Sequence, residues 1–210
     1  VLNLRSMKTK LVNFNSIEAI KALQNEEVIA FPTETVYGLA CISTSLKAFN
    51  ELVKIKKRPA NKPFTLMGGS NFKFEDYCYL DDKILRVIHK FVPGPITLLL
   101  KPKENLPYQI TLNTKAIGIR ISNSPKLQDF INKVGTPLLV PSANISGNKP
   151  LVTAKEVYDQ FNGEIPYIID DICNNSLPST IIDLSIKDQI KLVRQGELSF
   201  EEVLKTYKGK

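Results

Sequence analysis

The residues of this sequence best suited to bind a ligand are five cations within nine positions: Lys54, Lys56, Lys57, Arg58 and Lys62. Two of them precede a proline, which restricts their backbone to extended conformations. Rigidly held lysine and arginine suit a fixed polyanion such as a polyphosphate, because charge-assisted hydrogen bonds neutralise it and fix its place. The alternative is a solvated helix end, where basic residues suit the helix dipole. The sequence contains no Gly-x-x-x-x-Gly-Lys-Ser/Thr motif, so this cluster is not a Walker loop.

Two polar turns, at residues 31–40 and 140–147, each follow an apolar, strand-like run. Their hydroxyl and amide side chains include Thr33, Thr35, Tyr37, Ser142 and Asn144. Capping of a following helix is one interpretation of such residues. Ligands of α/β proteins, however, gather where strands end, so we predict that both turns orient a polar ligand through hydrogen bonds.

Two arginines follow otherwise apolar runs. Arg120 ends the run 117–120, and Arg194 follows residues 192–193. A cation in such a setting needs a partner, and the planar guanidinium can grip a carboxylate with two bonds, so we predict that Arg120 binds a carboxylate. The single histidine, His89, lies mid-helix between apolar residues and is predicted to be structural. We therefore predict no catalytic nucleophile or triad, only positioning and electrostatics.

The net charge of +7 is unevenly distributed. Residues 1–150 hold 21 Lys and Arg against 11 Asp and Glu, whereas residues 151–210 hold 7 against 10. A basic concave surface for ATP, RNA or both is one explanation, and a lysine-rich solvated surface is the other. Three scattered cysteines without metal-type spacing predict a reduced, cytoplasmic protein, and no apolar run is long enough to span a membrane.

Alternating helical and strand-like runs predict an α/β fold, a single domain with one twisted mixed sheet and flanking helices. The expected helices lie at 17–24, 46–53, 84–91, 126–134, 154–161 and from 199 onward. The expected strands lie at 28–31, 64–67, 96–100, 117–121, 137–140, 165–169, 180–184 and 190–193. We expect the domain to cover residues 13–207, after an N-terminal extension, residues 1–12, in which Met7 is a candidate natural start.

Seven short motifs stand in one order along the chain, at residues 31–39, 56–63, 93–97, 118–120, 141–147, 179–183 and 193–196. In this order, the chain resembles the YrdC-type threonylcarbamoyl-AMP synthases of the short, single-domain form. Each motif alone is weak, but the ordered combination is highly specific. The resemblance implies a YrdC-like fold, in which a twisted sheet surrounds a large, positively charged cavity.

The resemblance also implies a reaction. L-threonine, bicarbonate and ATP give L-threonylcarbamoyl-AMP and pyrophosphate, with Mg²⁺ accompanying ATP. The product serves formation of N6-threonylcarbamoyladenosine in tRNA, through downstream threonylcarbamoyl-transferase proteins. Such a step needs positioning and cations on the leaving pyrophosphate. The alternatives are an RNA-binding module that contacts tRNA or double-stranded RNA, and an ATP-binding paralogue with a different acceptor.

By motif position, the resemblance assigns roles to single residues. ATP would be held by Lys56, Arg58, Lys62, Ser142, Asn144 and Arg194. Threonine would be held by Thr33, Thr35, Tyr37, Arg120 and Ser179. Glu34, between the two threonines, is a candidate to assist a metal or the substrate amine, and the sequence identifies no further metal ligand. An RNA binder of the stacking type would place aromatic residues among the cations, and residues 54–63 contain none.

Overall fold

The computed structural model describes residues 8–59, 61–173 and 177–210, so the candidate start at Met7 lies outside the described residues. Its strands are β1 (Lys10–Val12), β2 (Ile29–Pro32), β3 (Tyr37–Ile42), β4 (Leu66–Gly68), β5 (Ile96–Leu100), β6 (Ile117–Ile121), β7 (Leu138–Leu139), β8 (Tyr167–Ile169), β9 (Thr180–Asp183) and β10 (Lys191–Arg194). Its helices are α1 (Ile17–Gln24), α2 (Leu46–Lys56), α3 (Asp82–Phe91), α4 (Tyr108–Thr111), α5 (Pro125–Val134), α6 (Ala154–Phe161) and α7 (Phe200–Tyr207), with a 3₁₀ turn at Phe74–Asp76.

The strands form one mixed sheet in the order β1-β8-β2-β3-β7-β4-β6-β5-β9-β10. Four neighbouring pairs are parallel, namely β1 with β8, β2 with β8, β4 with β6 and β5 with β9. The remaining pairs are antiparallel. The predicted α/β fold with a mixed sheet and flanking helices is therefore confirmed.

Amphipathic helices cover the sheet and close a single core. Phe130 of α5 contacts Phe31 of β2 and Phe14 edge-on, with ring centroids 6.2 and 5.9 Å apart. Side-chain caps fix where helices begin, as at Thr153 of α6, which forms the expected capping box with Glu156. Among the described residues, no helix is long and apolar enough to cross a lipid bilayer.

Two strands differ from the sequence-based expectation. β3 was expected only as a polar turn, but all six of its residues are buried, so they show no alternation that periodicity can detect. β1 falls within the expected extension 1–12, yet it pairs with β8. The Thr9 hydroxyl just before it donates to the carbonyl of Ile165 at 2.6 Å. The fold thus begins before residue 13.

Candidate functional site

A cleft of about 580 Å³ lies over one face of the sheet, where β4, β6, β5, β9 and β10 are neighbours. The register aligns its side chains across the strands. Met67 pairs with Arg120, Thr97 pairs with Ile181, and Ile181 pairs with Arg194. All five residues line the cleft, so the sheet itself sets the spacing of the two arginines.

Eight of the eleven residues predicted to bind ATP or threonine line this cleft: Thr33, Thr35, Tyr37, Arg58, Arg120, Ser142, Ser179 and Arg194. Three do not, namely Lys56, Lys62 and Asn144. The structure therefore brings together residues that are more than 160 positions apart in sequence, from Thr33 to Arg194. The side chain of Lys62 is exposed and does not belong to the cleft lining.

The turn between β2 and β3 is fixed by its own hydroxyls. The Thr33 hydroxyl donates to the carbonyl of Val36 at 2.7 Å and accepts from the backbone N–H of Thr35 at 3.1 Å. Because the single hydroxyl proton of Thr33 is used, the 2.9 Å bond between the two threonine hydroxyls is donated by Thr35. Thr35 in turn accepts from Nη2 of Arg120 at 2.9 Å, which ties the turn to β6.

Arg120 and Glu34 form a buried ion pair beside the cleft. Nη2 of Arg120 lies 3.0 Å from Oε1 of Glu34, and both side chains are less than a tenth exposed. The Ser122 hydroxyl donates to the other oxygen, Oε2. The two charged groups attract each other at 3.0 Å, but the angle between them is not that of a hydrogen bond. In the described part of the chain, Oε1 of Glu34 and Nε of Arg120 have no hydrogen-bond partner. Sequence reasoning found the arginine here and missed its carboxylate partner.

Ser179 joins the second arginine to β5. Arg194 donates from Nε and Nη2 to the Ser179 carbonyl at 3.1 and 2.8 Å, and from Nη2 to the Ser179 hydroxyl at 3.2 Å. The same hydroxyl lies 2.9 Å from that of Thr97. Burial lowers the pKa of Arg194, and the charge of Arg120 lowers it further. Gly196 lets this segment approach closely, because a Cβ there would meet the carbonyl oxygen of Pro178 at 2.2 Å.

Lys56 has a different role from the predicted one. At the end of α2 its side chain is buried, and Nζ donates to the carbonyls of Ser142 and Asn144 at 2.6 and 3.1 Å. It also donates to Oδ1 of Asn144 at 2.8 Å. An ammonium has three N–H donors, so these three acceptors saturate it. Lys56 therefore holds the 142–144 turn and does not present its charge to the cleft.

Asn144 is likewise occupied by the protein. Its Oδ1 accepts from Lys56 and from the Ser142 hydroxyl at 2.7 Å. Its Nδ2 donates to the carbonyls of Ile145 and Asn148 at 3.0 and 2.6 Å. Both polar atoms of Asn144 therefore support the turn that places Ser142 in the cleft, and Asn144 itself is outside the cleft lining.

The free energy of unfolding should depend on pH because of the buried amine of Lys56. Burial, followed by the charge of Arg58, lowers the pKa of Lys56 from 10.5 to about 8. Between these two values the unfolded chain keeps a proton that the folded chain has released, so stability rises with pH in this window. We expect the free energy of unfolding of the wild type to increase relative to Lys56→Met as pH rises from 8 to 10.5. Urea titrations at several pH values would measure it, and a constant difference would contradict the burial of a titrating amine.

Arg58 lies in the cleft wall. The left-handed backbone of Lys57, with φ of 50°, ends α2 and turns the chain toward the cleft. The guanidinium of Arg58 then lies over the ring of Phe64, 5.2 Å from its centroid, and Nη2 donates to the carbonyl of Pro63 at 3.2 Å. Burial lowers its pKa. Nε donates to the carbonyl of Lys62 at 3.3 Å, so Lys62 contributes backbone while its side chain is exposed.

The hydroxyl of Tyr37 also differs from its predicted role. It lies 2.7 Å from the carbonyl of Asp171 and 3.2 Å from that of Ile169, and burial raises its pKa. Tyr37 thus lines the cleft, while its hydroxyl joins β3 to the segment after β8. His89, predicted to be structural, is exposed on α3 and lies away from the cleft lining.

Comparison with known proteins identifies the family. A family model for the Sua5/YciO/YrdC domain, described as "Telomere recombination", matches residues 21–196. The chain belongs to the Sua5/YciO/YrdC family. A curated member, the threonylcarbamoyl-AMP synthase of Yersinia pestis (strain Pestoides F), is 35% identical over 176 residues, which cover 81% of this chain and 92% of the relative. The same synthase of Yersinia pseudotuberculosis serotype O:1b (strain IP 31758) matches equally well. The resemblance noted in the sequence is therefore confirmed.

Solved structures of the Sua5/YciO/YrdC family agree with the fold. P. abyssi Sua5 complexed with L-threonine superimposes with a TM-score of 0.87 at 30% identity, covering 94% of this chain and 61% of that one. This chain thus spans less than two thirds of that Sua5 chain. E. coli YciO superimposes with a TM-score of 0.80 at 24% identity, covering 90% of this chain and 96% of that one, which shows the shared fold alone.

Sequence reasoning assigned no ligand role to several cleft residues, although three of them stand in the noted motifs: Thr65, Thr97, Thr114, Lys115, Gly118 and Asp183. Thr97 lies in strand β5 and Gly118 in strand β6, and both strands were predicted. Both residues lie on the sheet face that carries Arg120 and lines the cleft. Alternation along β6 could have identified Gly118, because residues two apart in a strand share a face. Thr114 and Lys115 lie between α4 and β6, and no sequence signal distinguished them.

Proposed function

We propose that this protein synthesises L-threonylcarbamoyl-AMP from L-threonine, bicarbonate and ATP, with release of pyrophosphate. The observation that carries the proposal is one cleft in which Arg58 and Arg194 stand beside an Arg120–Thr35 group, in a chain 35% identical to named synthases. Two classes of ligand fit these residues. The guanidinium groups of Arg58 and Arg194 suit phosphates, and the Arg120 group suits an amino-acid carboxylate.

The reaction requires two bond-forming steps. The threonine amine and bicarbonate give a carbamate and water, and a carbamate oxygen then attacks the α-phosphorus of ATP. The bond from the α-phosphorus to the bridging oxygen breaks, and pyrophosphate leaves with the electron pair. None of these steps needs an enzyme nucleophile, so the protein contributes by holding the reactants in line and by placing donors where charge develops.

Mg²⁺ is proposed as part of the substrate, bound to the phosphates of ATP. Among the described residues, no three His, Cys, Asp or Glu side chains cluster as a metal site. Mg²⁺ in phosphoryl-transfer enzymes is held by one or two carboxylates together with substrate phosphates, and Asp183 is a carboxylate of the cleft lining. This donor set fits an ion that arrives with the nucleotide.

The product is proposed to serve N6-threonylcarbamoyladenosine formation in tRNA, through separate threonylcarbamoyl-transferase proteins. We place the protein in the cytoplasm, since the free thiols of Cys41, Cys78 and Cys173 suit a reducing compartment. Direct contact with tRNA or double-stranded RNA stays a prediction from the basic composition of residues 1–150.

Isotope incorporation tests the proposed function. Purified protein would be incubated with Mg·ATP, ¹⁴C-bicarbonate and L-threonine, and the nucleotide products separated by chromatography. We expect an adenylate that carries the bicarbonate carbon and depends on threonine, with equimolar pyrophosphate. Pyrophosphate release without labelled adenylate would point to a different acceptor.

The division of the cleft into two halves predicts a selective effect of Arg120→Lys. Lysine keeps the charge but loses the planar fork that now contacts Thr35 and Glu34. We expect threonine affinity to fall roughly tenfold to a hundredfold, which corresponds to the loss of one charge-assisted hydrogen bond, with ATP affinity nearly unchanged. Calorimetry with each substrate alone would measure this. A collapse of ATP affinity with intact threonine binding would assign Arg120 to the nucleotide half.

A further inference from the structure

Glu34 is a buried carboxylate that the reaction outlined above does not use. It lies between β2 and β3 and its side chain is 6% exposed, yet it is absent from the cleft lining. Burying a carboxylate is unfavourable unless it is paired. Its partners are Arg120, 3.0 Å from Oε1, and the Ser122 hydroxyl, which donates to Oε2. Glu34 therefore acts on β6 and the residue that follows it, not on a ligand.

Arg120 receives a fixed orientation from these contacts. Nη2 donates to the Thr35 hydroxyl at 2.9 Å and faces the Glu34 carboxylate, and Nε is buried. Among the described residues, no acceptor forms a hydrogen bond with Nη1, and Arg120 lines the cleft. The protein thus holds the guanidinium through Nη2, and Nη1 remains as the nitrogen that can donate to a ligand.

Glu34 also balances the charge of this part of the cleft. Arg120 and Arg194 lie on one face of the sheet, close enough that the charge of Arg120 lowers the pKa of Arg194. Two uncompensated guanidinium groups would repel each other and move apart. The buried carboxylate offsets one of them without occupying the cleft, and the Ser122 hydroxyl keeps that carboxylate in place.

We propose that Glu34 is a positioning residue for threonine. Anchored by Ser122, it holds the Arg120 guanidinium so that Nη1 meets the carboxylate of the amino acid. This inference rests on the proposed function, and it adds a residue whose effect passes entirely through Arg120. Two buried groups without a hydrogen bond, Oε1 of Glu34 and Nε of Arg120, are the kind of local imperfection that functional sites retain.

Glu34→Gln tests the proposal, because glutamine keeps the shape of the side chain and removes its charge. Calorimetry would compare L-threonine with L-threoninamide, which has the same shape and no carboxylate. We expect the Kd for threonine to rise about tenfold, as for the loss of one charge-assisted contact. The Kd for threoninamide and for ATP should change less than about twofold, since neither uses the affected contact.

Ser122→Ala provides a second, milder variant that does not alter the cleft lining. We expect a rise of about threefold in the Kd for threonine, with no further effect when it is combined with Glu34→Gln, because both changes act through one carboxylate. Additive effects would mean that Ser122 acts independently of Glu34. If Glu34→Gln does not fold, the threonine and threoninamide comparison on Ser122→Ala decides the question.

Several results would overturn the proposal. Equal weakening of threonine and threoninamide would show a general structural role for Glu34. Unchanged or tighter threonine binding would show that Arg120 needs no such support. Failure of the wild type to bind threonine would reject the proposed function itself. If the wild type binds threonine and Glu34→Gln binds it with the same Kd, only the role of Glu34 is rejected.

Discussion

Arg58→Ala should abolish adenylate formation while the protein keeps its fold. The guanidinium lies in the cleft wall over Phe64 and donates to the carbonyls of Lys62 and Pro63, so its loss removes the proposed phosphate contact and loosens only this turn. We expect the rate of adenylate formation to fall by roughly 10²–10³, the range measured when one donor to a developing charge is removed. Single-turnover assays with labelled ATP would measure the rate, and circular dichroism would confirm the fold.

Lys54→Ala is the matched control for Arg58→Ala. It removes one positive charge from the same helix end, but its side chain is 78% exposed and, in the described parts of the chain, forms its ion pair with Glu51. Adenylate formation should stay within about twofold of the wild type, because an exposed ion pair contributes little. Equal losses in both variants would mean that overall charge, not the position of Arg58, governs nucleotide binding.

Lys56→Met should destabilise the protein strongly. Methionine fills similar space but removes the donor that now serves the carbonyls of Ser142 and Asn144 and leaves Oδ1 of Asn144 with its bond from the Ser142 hydroxyl. Leaving buried acceptors without their donor costs about 1–3 kcal/mol, so the midpoint of urea unfolding should fall. Adenylate formation should fall as well, because the turn that carries Ser142 loses its anchor.

Lys47→Met is the control for this substitution, on the first turn of the same helix. The Lys47 side chain is 77% exposed and pairs with Glu26, so its loss should change the free energy of unfolding by less than about 1 kcal/mol. A Lys56→Met variant as stable as the control would show that the 142–144 turn is held by its backbone bonds alone. One of those bonds runs from the N–H of Ala143 to the carbonyl of Tyr37 at 2.6 Å.

Periodicity predicted the parts of the fold that have one buried face. Helices α1, α3, α5 and α6 and strands β5 and β6 were expected almost at their observed bounds, because apolar spacing and N-terminal caps mark them. Strand β3 was not predicted, since complete burial erases alternation and Gly38 reads as a turn residue. At Gly38 the sheet needs a close approach, because a Cβ there would meet Val140 at 2.5 Å.

The sequence predicted the chemistry of the site better than its contacts. Arg120 and Arg194 were identified because a cation after apolar residues needs a partner, and both line the cleft. Lys56 and Tyr37 have suitable polar groups, but those groups are used by backbone carbonyls of residues more than 80 positions away. Residue type shows what a side chain can bond, whereas only the fold decides which partner it meets.

The hydrogen bond between Thr97 and Ser179 has a consequence for synthesis on the ribosome. It joins residues 82 positions apart, and β5 lies between β6 and β9 in the sheet. Chains emerge from the N-terminus at about 5–20 residues per second, so β5 is an unprotected edge until β9 follows. The nascent chain also lacks Ser179 and Arg194 during this interval. A ligand of the cleft therefore cannot assist the early folding of the chain, and β5 stays an exposed edge at that stage.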